Sequence, residues 1–157
     1  GELWVRGAPV IKGYINRPDA TSEAITDGWL HTGDVARCDE EGFIFIVDRV
    51  KDMVLRGGEN VYCSEVETTL HKISEISECS VFGVPDDRLG EEVGAIIYLV
   101  PESAKTVSEI REFCFAHMAK HKVPKYIWFS DSPLPRNANG KFLKRELRES
   151  LELKNAL

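Results

Sequence analysis

Pro133-Leu134-Pro135-Arg136-Asn137-Ala138-Asn139-Gly140-Lys141 is a loop-forming run that ends on a single lysine. Two prolines stiffen its entry, and Asn-Ala-Asn-Gly supplies residues that accept turns and positive φ. Leu143, Leu147 and Leu151 then repeat at helical spacing, so a helix takes over directly after Lys141. A lysine carried at such a tip is a mobile point charge that can meet a phosphate or a carboxylate. Alone, Gly-Lys reads equally as an ordinary exposed lysine after a turn. The rest of the chain decides between the two.

Upstream of the loop the texture divides at Asp48-Arg49-Val50-Lys51. Before it, Glu2 to Arg6 reads as a strand and Pro18 opens a short helix through Ile25, proline being accepted in a first turn. Trp29 to Arg37 reads as a strand around a Thr-Gly-Asp bend, Asp39 to Gly42 as a hairpin turn, and Phe43 to Val47 as a buried strand. Strands with tight turns and almost no helix describe part of a β-barrel that these few strands cannot close. Residues 1–49 are therefore expected to be the incomplete tail of a larger domain.

After the break, Met53-Val54-Leu55 and Asn60-Val61-Tyr62 flank a glycine turn and predict a small β-ribbon. Ser64 with Glu67 predicts a capping box opening a helix whose apolar face is Val66, Leu70 and Ile73. Glu78 to Val84 and Glu92 to Val100 read as strands. A helix runs from Thr106 or Ser108 through Lys120, and Tyr126 to Phe129 is a third strand. The fold class expected for residues 50–157 is α+β: a small lid domain with a three-stranded sheet, packed helices and the β-ribbon.

Composition limits the function. At 43% hydrophobic and 29% charged residues, the chain is that of a soluble globular protein. No apolar run reaches the roughly 20 residues that a membrane span needs. The chain opens Gly1-Glu2-Leu3-Trp4-Val5-Arg6, with neither an initiator methionine nor a signal-peptide layout, and is expected to be an excised or processed piece. Cys38, Cys63, Cys79 and Cys114 show no metal-like spacing and read as reduced thiols of a cytoplasmic protein. The four histidines likewise have no metal-like spacing, so no metal site is expected. A net charge of −6 argues against a nucleic-acid partner. Positive charge gathers near the end instead: Lys120, Lys122, Lys125, Arg136, Lys141, Lys144, Arg145 and Arg148 stand against Asp131 and Glu146. A basic end on an acidic protein suits a phosphorylated small molecule, and equally a solvated helix face.

The ordered series Gly7, Gly13-Tyr14, Pro18, Thr21, then Gly28-Trp29 with Thr32-Gly33-Asp34, then Asp48-Arg49-Val50-Lys51, and finally Leu134-Pro135 with Gly140-Lys141 resembles the C-terminal third of the adenylate-forming superfamily. Acyl-CoA synthetases, luciferases and the adenylation domains of peptide synthetases belong to it. Each motif is weak alone; in this order they span nearly the whole chain. Leu55 stands where luciferase-like and coumarate-ligase-like members carry a lysine, whereas Arg56-Gly57-Gly58-Glu59-Asn60-Val61-Tyr62 is worded like ligases of fatty or related acids.

The resemblance implies a two-step ligase. A carboxylic acid attacks the α-phosphate of ATP, giving an acyl-adenylate and pyrophosphate; a thiol, usually coenzyme A, then displaces AMP. Lys141 matches the catalytic lysine that bridges carboxylate and α-phosphate. Asp34 matches the carboxylate that takes the ribose hydroxyls, and Arg49 an arginine that reaches ribose and phosphate. Lys51 occupies the hinge about which the small domain swings, and Gly58 lines the channel of the pantetheine arm. Glu91 and Glu92 read as domain packing. The resemblance also implies Mg2+ with ATP and a larger N-terminal domain as partner. Two alternatives stay open: an adenylation domain that loads a carrier protein, and a stand-alone nucleotide- or CoA-binding docking module without catalysis.

Overall fold

The structure, a computed structural model, describes residues 1–151 and 156. It divides into two compact units, Gly1–Lys51 and Asp52–Leu157.

In the first unit, β3 (Trp29–Cys38) is the centre of an open antiparallel sheet. It pairs with β1 (Glu2–Val5), with the two-residue β2 (Ile25–Thr26) and with β4 (Ile44–Arg49). Helix α1 (Pro18–Ala24) begins on its proline, where a missing N–H costs nothing. One expectation fails here. Phe43, Ile44, Phe45 and Ile46 are 62%, 57%, 43% and 58% exposed, so β4 is not a buried strand.

The second unit is built on the long antiparallel pair β7 (Ile76–Asp86) and β8 (Gly90–Leu99), with β9 (Tyr126–Phe129) parallel to β8 along Gly94–Ile97. The ribbon β5 (Val54–Arg56) and β6 (Glu59–Val61) is part of the same sheet, joined through the pairing of Arg56 with Gly90. The sheet therefore has five strands rather than three plus a separate ribbon. Its strands read as nearly continuous apolar runs because both faces are covered. On one face Cys79, Val81, Val93, Ala95, Ile97 and Ile127 meet α2 (Cys63–Leu70) and α3 (Val107–His117) through Val66, Leu70, Ile110 and Cys114. On the other, Phe82, Val84, Ile96 and Trp128 receive Leu134, Phe142 and Leu147. That second layer is the Pro133–Lys141 loop together with α4 (Lys144–Ser150).

One helix start and one helix end differ from expectation. Helix α2 begins after Tyr62 with no side-chain capping bond, two residues before the expected cap, so that Ser64 and Glu67 lie inside the helix. Helix α3 starts at Thr106 with a complete capping box to Glu109 and stops at His117; Lys120–Lys122 forms a separate 3-10 turn. No helix among the described residues is long and apolar enough to cross a membrane.

Candidate functional site

The loop that carries Lys141 is closed on itself and then fastened to the sheet. Asn137 makes the tip: its side-chain oxygen accepts from the N–H groups of Asn139 and Lys141, each at 3.0 Å. Its backbone N–H donates to the Lys141 carbonyl and its carbonyl accepts from Gly140, each at 2.9 Å. Gly140 sits at φ +79, a conformation that disfavours any side chain. Leu134, 3% exposed, plugs the entry into the apolar face, and Phe142 packs beside it. Lys141 itself is exposed, and its ammonium has no partner among the described residues. A rigid base under an uncommitted cation is what a group meeting a developing oxyanion needs.

Two carboxylates hold the elements around this loop, and a third holds the glycine ribbon. Glu78 on β7 accepts from the Leu134 N–H at 2.7 Å and from Arg136 Nη2 at 3.0 Å. Burial alone would raise its carboxyl, but these two donors outweigh it and leave the group below the usual carboxylate range. Glu67 on α2 accepts from the Val81 N–H at 2.8 Å and from Lys144 Nζ at 2.9 Å, and Lys144 also donates to the Val81 carbonyl at 3.1 Å. Burial pulls the Lys144 ammonium down, but the charge and hydrogen bond of Glu67, with Cys63 and Asp52, together outweigh it, so the group stands above the ordinary lysine range. Lys144 is thus an anchor for α4, not part of a solvated basic face. Glu92, only 2% exposed, takes Arg56 in a bidentate grip, Nε to Oε2 at 2.6 Å and Nη2 to Oε1 at 3.0 Å.

That last pair fixes the glycine ribbon. Glu91 accepts from the Leu55 N–H at 2.8 Å, and the Gly57 N–H donates to the Leu89 carbonyl at 2.8 Å. Both glycines have positive φ, +58 at Gly57 and +90 at Gly58. They differ in surroundings: a Cβ on Gly57 would meet the Leu89 side chain, whereas one on Gly58 would meet nothing within 4 Å. Gly57 is therefore a turn and packing glycine, and Gly58 faces open space. Beside the ribbon's base lies a groove of about 610 Å³ lined by Arg56, Arg111, Lys120, His121 and Lys125 around the Glu92 carboxylate, which pairs with Arg56 and Lys125, with Phe115, Val123 and Pro124 as apolar wall. The sequence shows this groove only as a local excess of basic residues; Arg111, outside the basic run that starts at Lys120, gives no sign.

In the first unit, the structure brings Asp34 and Arg49 together. They are directly paired residues of β3 and β4, and Arg49 Nε lies 3.3 Å from Asp34 Oδ1. Arg49 Nη2 also donates to the Thr32 carbonyl at 3.2 Å. Gly33 at φ +72 turns the strand beside them. The pair remains open to solvent, the side chains being 33% and 56% exposed. Lys51 is exposed and is the last residue of the first unit.

Residues 65–141 match the family model of the AMP-binding enzyme C-terminal domain. The 2-succinylbenzoate–CoA ligase of Geobacillus sp. (strain WCH70) is 43% identical over 149 residues, 95% of this chain and 30% of that protein. Among solved structures, o-succinylbenzoate CoA synthetase (MenE) from Bacillus subtilis in complex with the acyl-adenylate intermediate OSB-AMP superimposes with a TM-score of 0.86 at 36% identity. The match covers 97% of this chain and 31% of that one. ATP-bound MatB from Rhodopseudomonas palustris gives a TM-score of 0.88 at 36% identity, covering 96% of this chain and 30% of that one. The chain spans about 30% of the length of the curated relatives it matches. The ordered motifs, the α+β fold and these matches agree: the chain belongs to the adenylate-forming superfamily and carries its AMP-binding C-terminal domain.

Proposed function

We propose that the chain is the C-terminal part of an ATP-dependent, AMP-forming acid–CoA ligase. The observation that carries this reading is Lys141: an exposed ammonium, unpartnered among the described residues, at the tip of a loop tied to the sheet. Adenylation brings carboxylate and triphosphate together, and their mutual repulsion is the main obstacle. A fixed cation between them cancels it without reorganisation at the moment of reaction. Asp34 would take the vicinal ribose hydroxyls with its two acceptor oxygens, exchanging part of its contact with Arg49, whose guanidinium would move to ribose and phosphate.

The second step uses the ribbon face. Gly58 would let the pantetheine arm pass, and the groove of Arg56, Arg111, Lys120, His121 and Lys125 would seat the phosphates of coenzyme A. Rotation about Lys51 would exchange the Lys141 face for the Gly58 face between steps. In this reading residues 1–49 are the tail of the large N-terminal domain's barrel and residues 50–157 the mobile C-terminal domain. The exposed apolar run Phe43–Ile46 supports it, since such a patch calls for a covering layer. The described residues hold no group of three or more His, Cys, Asp or Glu that could bind a metal, and no step here is routed through Mg2+.

The acid is read from the relatives. Their names favour 2-succinylbenzoate over the fatty acids to which the Arg56–Tyr62 wording pointed. The test is acid-dependent pyrophosphate release by the intact protein with ATP, across 2-succinylbenzoate and a series of fatty acids. Release with 2-succinylbenzoate alone is expected. No release with any acid would refute the ligase reading, and release with fatty acids alone would refute the choice of acid.

A further inference from the structure

Among the described residues no hydrogen bond or ion pair holds the Lys141 ammonium, so its placement comes from the backbone that carries it. The bonds inside the tip, from Asn137 to Asn139, Gly140 and Lys141, tie residues 137–141 only to one another. Taken alone they would let the tip rock as a unit. Arg136, at the neck just before the tip, links the tip to the sheet. Arg136 donates through Nη1 to the Gly140 carbonyl at 2.8 Å, the peptide immediately before Lys141. Through Nη2 it donates to Glu78 Oε1 at 3.0 Å, and its guanidinium lies over the Phe142 ring, 3.9 Å from the centroid. Backbone pairing of Arg136 with Phe142 closes the neck of the loop at the same level.

Glu78 is well placed as the fixed end. It lies inside β7, its side chain is 18% exposed, and its second oxygen holds the Leu134 N–H. Leu134 in turn is buried in the apolar layer. We propose that Arg136, seated on Glu78, is a positioning residue for Lys141: it transmits the register of β7 to the Gly140–Lys141 peptide and so fixes where the ammonium can reach. The geometry needs a planar fork. Two donors on separate nitrogens serve Glu78 and Gly140 while the flat face stacks on Phe142, which a lysine ammonium cannot reproduce in full.

This rests on the reading of Lys141 as the adenylation lysine. The experiment uses the full-length protein with 2-succinylbenzoate, or the acid of the series that gives most pyrophosphate release. Adenylate formation and thioester formation from supplied acyl-adenylate are measured separately for wild type, Arg136→Met, Arg136→Lys, Glu78→Gln and Lys141→Ala. A displacement of about 1 Å at a reacting group costs about a hundredfold. Arg136→Met is therefore expected to lower the adenylation kcat by about ten- to a hundredfold, with the ATP KM changed by less than about threefold. Arg136→Lys and Glu78→Gln should fall between it and wild type, and all three should keep the thioester step within about twofold. Equal loss of both steps would overturn the proposal by showing a merely structural role, as would adenylation at the wild-type rate in Arg136→Met. If Lys141→Ala itself adenylates normally, the underlying reading falls and the proposal with it. If Lys141→Ala is crippled and Arg136→Met is not, the proposal alone falls.

Discussion

Replacing Lys144 by methionine removes an ammonium while keeping an unbranched stem of similar length. That ammonium donates to Glu67 at 2.9 Å and to the Val81 carbonyl at 3.1 Å, with the two side chains 24% and 22% exposed. Breaking one side of a fully buried pair costs about 3–5 kcal/mol, whereas an exposed pair contributes about 0–1 kcal/mol. With roughly three-quarters of each side chain covered, the expected cost of Lys144→Met is about 2 kcal/mol. For a protein of this size that lowers the thermal midpoint by about 4–8 °C. Glu67→Met should cost at least as much, since the Val81 N–H also loses its acceptor. The double variant places two apolar side chains together and should recover about 1 kcal/mol or more relative to the sum of the singles. Urea unfolding of the four proteins at pH 7, followed by far-UV circular dichroism, gives the coupling directly. Strictly additive losses would refute the idea that this ion pair holds α4 to β7. The pH dependence is a second check. A lysine raised above its unfolded value of about 10.4 contributes stability that is complete below that pH and is lost as pH rises through the folded value. The gap between wild type and Lys144→Met should therefore close on the alkaline side.

Glu78 has the opposite sign. Its lowered pKa adds stability above its unfolded value of about 4.3, lost as pH falls through the folded value, so Glu78→Gln should flatten the acid limb of the stability curve. An acid limb identical to wild type would contradict the Leu134 and Arg136 contacts. Cys38 is exposed while Cys63, Cys79 and Cys114 are buried; burial, with the Glu67 charge adding, pushes Cys79 up to about 12, and burial pushes Cys114 up to about 11. A thiol reagent at pH 8 should label Cys38 alone in the native protein and all four in urea, as mass spectrometry would count. In the full-length enzyme, Asp34→Asn should raise the ATP KM by about tenfold or more, the loss of a charged hydrogen bond to the ribose. An unchanged KM would remove Asp34 from the nucleotide site.

The sequence carries the sheet of the second unit well because its strands are apolar on both faces and bounded by turn residues, and β9 matches its expected limits, Tyr126–Phe129. The Lys141 loop is equally legible, since Pro, Asn and Gly act locally. What failed depends on partners distant in sequence. Ser64-x-x-Glu67 and Thr106-x-x-Glu109 are the same local pattern, yet only the second becomes a capping box. Glu67 instead serves Val81 and Lys144, 14 and 77 residues away in sequence. Lys144 looked like part of a solvated basic face for the same reason. Glu92, taken as packing, is a buried charge matched by Arg56, 36 residues upstream. Phe43–Ile46 has the composition of a buried strand, and burial is a property of the covering layer, which the run itself does not encode.

The central claim is that one small unit serves two steps with two different loops, and a pair of variants in the full-length protein tests it most directly. Lys141→Ala and Gly58→Leu are each assayed for adenylate formation and for thioester formation from supplied acyl-adenylate. Lys141→Ala should lose adenylation by about a hundredfold or more and keep thioester formation. Gly58→Leu should keep adenylation and lose thioester formation, because the side chain enters the space that is open beside Gly58. Opposite losses are the predicted result. Equal loss of both steps in either variant, or full activity in both, would contradict it.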